Sequence, residues 1–311
     1  MLQITADVFS GRPNPVAEVR DEREARVTLQ ELTADRSLLV EAEPAQSGLG
    51  FRGIWIEALS DELAQDFDLG SAVYLPIGPQ ARGTRAAELA ERLIGLMGRG
   101  EAPTGAAEGV LPLETPVTDF LTTQLELVTR LERQSQVSLA DEAVAVRPEE
   151  AAAPSVTCTI ELGAFNPGFW NNDANVRLNN NCYNYASNWR TNTFAQPGRG
   201  CGSMYTAITC AEVTRAALCD GMHRRFDCFP DIERPRYLVA LVVAPGPGFI
   251  DYHWFRRQKE GFWGHKPGGT AARNVDNSGV VITDPQTADR GPYTLFCGFF
   301  YGCNSQRQRI R

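Results

Sequence analysis

Hydrophobic and polar residues alternate through Ile4–Phe9, the period of a half-buried strand, and the run ends in the turn-rich Ser10-Gly11-Arg12-Pro13-Asn14-Pro15. A charged helix is expected over Glu22–Leu32, then strands over Gly53–Ala58 and Ala72–Ile77. Arg85–Met97 carries apolar residues at helical spacing and reads as an amphipathic helix. Gly100–Leu113 and Ser138–Pro154, rich in Ala, Glu and Pro or Gly, read as linkers on either side of one helix over Val117–Arg133.

Beyond residue 154 the pattern changes. A strand over Val156–Leu162 and an Asn/Gly/aromatic loop lead to Asn179-Asn180-Asn181-Cys182, where the asparagines supply a helix N-cap. A second helix is expected over Met204–Cys219, stopped by Asp220-Gly221. Tyr237–Val243, Phe249–Arg256 and Phe262–His265 are β-rich runs separated by turn residues and predict antiparallel strands. A short strand over Val280–Ile282 and a frayed basic tail over Gln306–Arg311 complete the reading. The expected class is α+β: an N-terminal mixed α+β domain over 1–100, a linker with one helix over 101–154, and a cysteine-rich domain over 155–311, in which the helix bearing Cys182 packs on an antiparallel sheet.

At 311 residues and 43% hydrophobic content, two packed domains are the natural expectation. No run of about 18 apolar residues exists, so no membrane-spanning helix is expected. Charge refines the picture. Residues 1–155 hold 13 Arg, no Lys and 26 Asp and Glu, net −13, whereas residues 156–311 are net +5. The halves should attract one another, or the second should prefer an anionic partner. The acidic balance and the lack of an interleaved basic and aromatic patch argue against nucleic acid.

All eight cysteines, 158, 182, 201, 210, 219, 228, 297 and 303, lie in the second half, which suggests disulfides and an oxidising compartment. Residues 1–9 lack the basic start and apolar core of a Sec signal peptide, which points instead to the cytoplasm or to export by a non-Sec route. Cys210 and Cys219, nine residues apart on one expected helix, would face opposite ways and could not chelate one ion together. No C-x-x-C pair occurs, so neither a metal nor another cofactor is expected. Gly198, Gly200 and Gly202 alternate without the Lys-Ser/Thr of a phosphate loop and read as a surface loop lining a cleft. His223, beside Arg224 and Arg225, reads as a surface residue.

Candidate chemistry sits at Cys182, His253 and His265. A thiol in a first helical turn faces unpaired N–H groups and the positive end of the helix dipole, which favours thiolate. The two histidines fall on adjacent strands, but whether they share a face depends on register. A cysteine at a helix start, then a histidine on a strand, then a second histidine a dozen positions on resembles the NlpC/P60-like branch of the papain-like cysteine peptidases, over roughly residues 156 to 303. The resemblance implies a papain-like second domain, with Cys182 as nucleophile, His253 as base and His265 as orienting residue. It also implies a peptide or amide substrate, short or cell-wall peptides among them. Asn180 or Asn181 would complete an oxyanion hole, Asp251 would tune His253, and Asp284 or Asp276 would replace His265 as orienter.

On that reading the chain is a cysteine hydrolase working through an acyl-enzyme. Two other readings stand beside it: a transferase or deamidase with the same Cys–His site, and a non-catalytic, disulfide-stapled binding module.

Overall fold

In the computed structural model, residues 1–41, 48–70, 72–77, 84–103, 113–135, 160–224 and 233–311 are described. Most of the two expected linkers, the start of the expected strand over Val156–Leu162, and Cys158 and Cys228 lie outside them. The class is α+β, with two antiparallel sheets and their helices.

The first sheet holds β1 (Leu2–Asp7), β2 (Val16–Val19), β3 (Gly53–Ala58) and β4 (Val73–Pro76) in the order β2-β1-β3-β4. Alternation decides its faces. Leu2, Ile4, Ala6, Ile54, Ile56, Val73 and Leu75 are buried in the core that α1 (Glu22–Ala34), α2 (Asp61–Asp66), α3 (Thr84–Met97) and α4 (Thr115–Ser135) also supply. Gln3, Thr5, Asp7, Trp55 and Glu57 occupy the other face. α1 begins where its chemistry demands: the Asp21 carboxylate accepts the Glu24 N–H at 2.8 Å, and Glu22 and Glu24 sit at the positive end of the helix dipole.

The second half contributes α5 (Gly168–Asn171), α6 (Ala174–Leu178), α7 (Cys182–Ser187), α8 (Cys210–Cys219), β5 (His223–Arg224), β6 (Tyr237–Pro245), β7 (Ile250–Arg257), β8 (Trp263–His265), β9 (Leu295–Gly302) and α9 (Asn304–Arg309). Its sheet runs β5-β9-β6-β7-β8. β6 is covered on both sides, which explains its unbroken apolar run. Leu238, Ala240, Val242 and Ala244 join the same core as the first sheet, while Val239, Leu241 and Val243 pack with Cys182, Tyr183 and Val213 of α7 and α8. One core therefore runs through both halves.

Several expectations shift. α8 starts at Cys210, six residues later than the pattern suggests, because Thr209 Oγ1 caps it by accepting the Glu212 N–H at 3.2 Å. Its two cysteines do face different partners, in disulfides Cys201–Cys219 and Cys210–Cys297. The tail is ordered as α9, with Ile310 fully buried in the core beside α7 and α8. Val280–Ile282 is reduced to a bridge between Val275 and Val281. β9, an interior strand next to β6, was hidden by its glycines: Leu241 pairs with Gly298 and Val242 with Phe296, leaving Cys297 as the extra residue of a bulge that Gly298, at φ 126°, accommodates.

Candidate binding cleft

The register of β7 and β8 places Phe255 opposite His265, so His253 and His265 share a face. They are in contact, His253 Nε2 to His265 Nδ1 at 2.9 Å. The tautomers follow from the far end of the chain of bonds. His265 Nε2 lies 2.9 Å from the Val275 carbonyl, which can only accept. His265 therefore accepts at Nδ1 from His253 Nε2–H, and His253 Nδ1 is a bare acceptor, buried without a partner. Burial first, and then the adjacent His265 and Arg52, pushes His253 well below the usual imidazole range. Burial and Arg273 push His265 down to about 3. Both rings are neutral.

Cys182 does not meet them. Tyr252 and Trp254, one strand position either side of His253, project to the opposite face and pack with Cys182 in the second core. The sheet lies between thiol and imidazole. The thiol is fully buried, 3.9 Å from the Tyr252 carbonyl oxygen. Its pKa is pushed well up, by burial first and by Asp251 second, against the expectation of a helix-start thiolate. The helix start is as the asparagines suggest: Asn181 Oδ1 accepts the N–H groups of Tyr183 and Asn184 at 3.0 and 3.1 Å, and Asn184 Oδ1 accepts the Asn181 N–H. Over so short a helix and in so dry a setting, desolvation outweighs the dipole.

The remaining candidates have structural partners. Asn181 Nδ2 donates to the carbonyls of Gly11 and Ala195 at 2.8 and 2.7 Å. Asn180 Oδ1 accepts the N–H groups of Thr191 and Asn192, and its Nδ2 donates to Val176 O, so it shapes the loop after α7. Asp284 and Asp276 each accept N–H groups of their own turns, from Gln286 and from Ser278 and Val280. Neither orients a histidine.

Asp251 has the least expected role. It accepts the backbone N–H groups of Ser10, Gly11 and Arg12, at 2.6, 3.1 and 3.1 Å, and the Tyr293 hydroxyl at 2.5 Å. Burial pushes its carboxyl up, while these donors and Arg12 pull it down. The Gly11 carbonyl completes the junction, accepting from Asn181 Nδ2, Gln196 Nε2 and the Tyr252 hydroxyl at 2.8, 2.9 and 3.1 Å. The turn of the first half thus fills the space over the start of α7. Only glycine fits, since a Cβ at position 11 would lie 2.5 Å from Tyr252. From the other side, Asn14 Oδ1 accepts the N–H groups of Val8 and Phe9, and the buried Arg52–Asp7 pair braces the same turn through Arg52 Nη2 to Phe9 O at 2.9 Å.

This junction sets the walls of a cleft of about 510 Å³ between the open face of the first sheet and the second half. Gln3, Trp55 and Glu57 line one side, and Phe194, Arg199 and Thr270 the other. Trp55 is half-buried and leans on Tyr74, ring centroids 4.7 Å apart. Phe194 follows the loop that Asn180 organises and adopts φ 52°, a conformation rare for a bulky side chain. Arg199, from the Gly198–Gly202 loop, reaches the same space, its Nε buried without a hydrogen-bond partner. No motif marks these residues in the sequence. The signal was the polar half of a strand alternation that carried a tryptophan.

Fold and site together define an α+β protein stapled by disulfides, its halves locked through a buried turn and separated at the surface by a mixed aromatic and polar cleft. No family model and no solved structure matches the chain. It is 49% identical over 137 residues to Insoluble matrix shell protein 1 of Ruditapes philippinarum, a match covering 43% of this chain and 86% of that protein. The chain belongs to the family of that shell protein.

Proposed function

We propose that this chain is a non-catalytic binding protein of an insoluble extracellular matrix, and that its cleft takes a polysaccharide chain. The cleft carries the reading. A sugar ring offers an apolar C–H face and a rim of hydroxyls, and the half-buried Trp55 with Gln3, Glu57 and Thr270 offers an aromatic surface edged by hydrogen-bonding groups. Three further observations favour it. The relative's name places that protein in an insoluble matrix. The disulfides Cys201–Cys219 and Cys210–Cys297 suit an oxidising compartment. The separation of Cys182 from His253 leaves the hydrolase and transferase readings without their thiolate–imidazole pair.

An anionic partner, expected for the second half, would meet the Arg199 guanidinium in the cleft, across from the acidic Asp7 and Glu57. A carboxylated or sulfated polysaccharide would add an ionic contact there, and that increment should fade as salt rises.

Co-sedimentation with insoluble polysaccharides, cellulose and chitin among them, tests the proposal. The intact protein should deplete from solution and Trp55→Ala should remain, both assayed in the folded state, well below their denaturation midpoints. Equal depletion of the two, or none of the intact protein with any polysaccharide, would sink the reading.

A further inference from the structure

Away from the cleft, three metal-ligating side chains converge from three parts of the chain. His223 stands on β5, opposite Tyr301 of β9. Cys303 follows β9 directly and is buried, with no disulfide partner among the described residues. Glu233 lies in the segment before β6. Their ligand atoms, an imidazole nitrogen, a thiol sulfur and a carboxylate oxygen, all lie within 4.8 Å of one another. We propose that His223, Glu233 and Cys303 bind a zinc ion.

The donor set selects the metal. Sulfur and imidazole nitrogen suit borderline-soft zinc and are poor ligands for calcium or magnesium, which favour all-oxygen shells. Separations below 4.8 Å need only a small inward adjustment to reach a tetrahedral zinc, whose bonds are about 2.0–2.3 Å long. The carboxylate is already oriented: its two oxygens accept the N–H and hydroxyl of Ser305 at 3.0 and 2.5 Å, the kind of outer support that ligating carboxylates carry. A dication held by one thiolate and one carboxylate is neutral overall, and the proton that Cys303 releases on binding offsets one of the two charges that the ion brings near Arg236 and Arg309. Three protein ligands leave a fourth position for water or for a donor from another molecule.

The site reaches function through the fold. It ties the edge strand β5 to the start of α9, whose Ile310 closes the second core. Metal binding should therefore stabilise the folded chain by mass action.

Cobalt titration of the full, unreduced, metal-stripped protein tests this. One cobalt per chain should bind with a near-ultraviolet thiolate charge-transfer band that added zinc removes. Cys303→Ser should abolish the band, and His223→Gln, a half-buried edge position, should weaken binding by at least about tenfold while folding normally. Zinc should raise the melting temperature of the intact chain and leave that of His223→Gln unmoved. The proposal is overturned if no band appears, if the band survives Cys303→Ser and so belongs to another thiol, or if alkylation and mass mapping find Cys303 in a disulfide.

Discussion

The carboxylate of Asp251 accepts the backbone N–H of Ser10 at 2.6 Å in a buried contact that joins positions 241 apart in the chain. With Gly11, Arg12 and Tyr293 also donating, one buried charge is satisfied largely by a turn from the other half. Asp251→Asn keeps the shape but replaces one accepting oxygen with a donor aimed at donors. A loss of about 2–4 kcal/mol is expected, the range for leaving buried charged hydrogen bonds unmet. Urea denaturation measures it. Gly11→Ala should cost a similar amount through its clash with Tyr252 and, unlike Asp251→Asn, should change no charge. A loss below 0.5 kcal/mol in both would mean that the turn is not held in this way.

The neutral histidine pair makes stability depend on pH in a defined direction. Both imidazoles have folded pKa values depressed below the unfolded value of about 6.5. The unfolded chain therefore takes up protons first as pH falls. Their contribution is complete above about pH 6.5 and drains away below it, with His265 continuing to count down to about 3, at up to about 1.4 kcal/mol per pH unit for each ring. Denaturation between pH 7 and pH 4.5 should show this slope, and His253→Phe should flatten it by about half. An unchanged slope in that variant would assign the pH dependence to other groups.

Cys182 should behave as a core side chain. Iodoacetamide applied to the native protein should leave it unmodified up to pH 8.5 and should label it only in denaturant, since burial holds the thiol protonated. Fast native labelling at neutral pH would reopen the nucleophile reading.

The disulfides Cys210–Cys297 and Cys201–Cys219 should differ in worth. Cys210–Cys297 spans 87 positions and Cys201–Cys219 spans 18, so loop-closure entropy alone predicts about 4.5 and about 3 kcal/mol. Paired serine replacements, compared by denaturation midpoint, should rank in that order. A reversed rank would show that local packing around the Gly198–Gly202 loop, and not chain entropy, dominates.

What the sequence disclosed and what it withheld divide along a physical line. Elements fixed by local period and caps were legible: Gly53–Ala58 forms β3 with the expected ends, Glu22–Leu32 lies within α1, and Asn181 caps the helix at Cys182. Hairpin spacing put His253 and His265 on adjacent strands, and the register of β7 and β8, which the sequence left open, brings them into contact. The face on which Cys182 packs did not, because strand position 253 and its neighbours 252 and 254 point opposite ways and only tertiary packing decides which of them meets α7. The same limit hid Asp251. Nothing local tells a carboxylate in a strand that its partners are three N–H groups some 240 residues earlier. β9 was lost to a different cause, two glycines within an apolar run that the bulge at Cys297 accommodates.

Phe194 separates binding from stability. Its left-handed backbone costs of the order of 1–2 kcal/mol for a residue with a Cβ, and its ring is only half-buried, so little packing is lost when it is removed. Phe194→Gly should therefore leave the denaturation midpoint unchanged or slightly higher, since glycine takes φ 52° freely. The cleft, however, loses its wall opposite Trp55. If the polysaccharide reading holds, co-sedimentation of Phe194→Gly should fall several-fold while Asp251→Asn, which weakens the body and leaves the cleft lining intact, still binds below its unfolding range. The reverse pattern, binding kept in Phe194→Gly and lost in folded Asp251→Asn, would move the ligand site from the cleft to the buried turn. A strained aromatic is retained where its position is worth more than its backbone costs, and these two variants measure both sides of that balance.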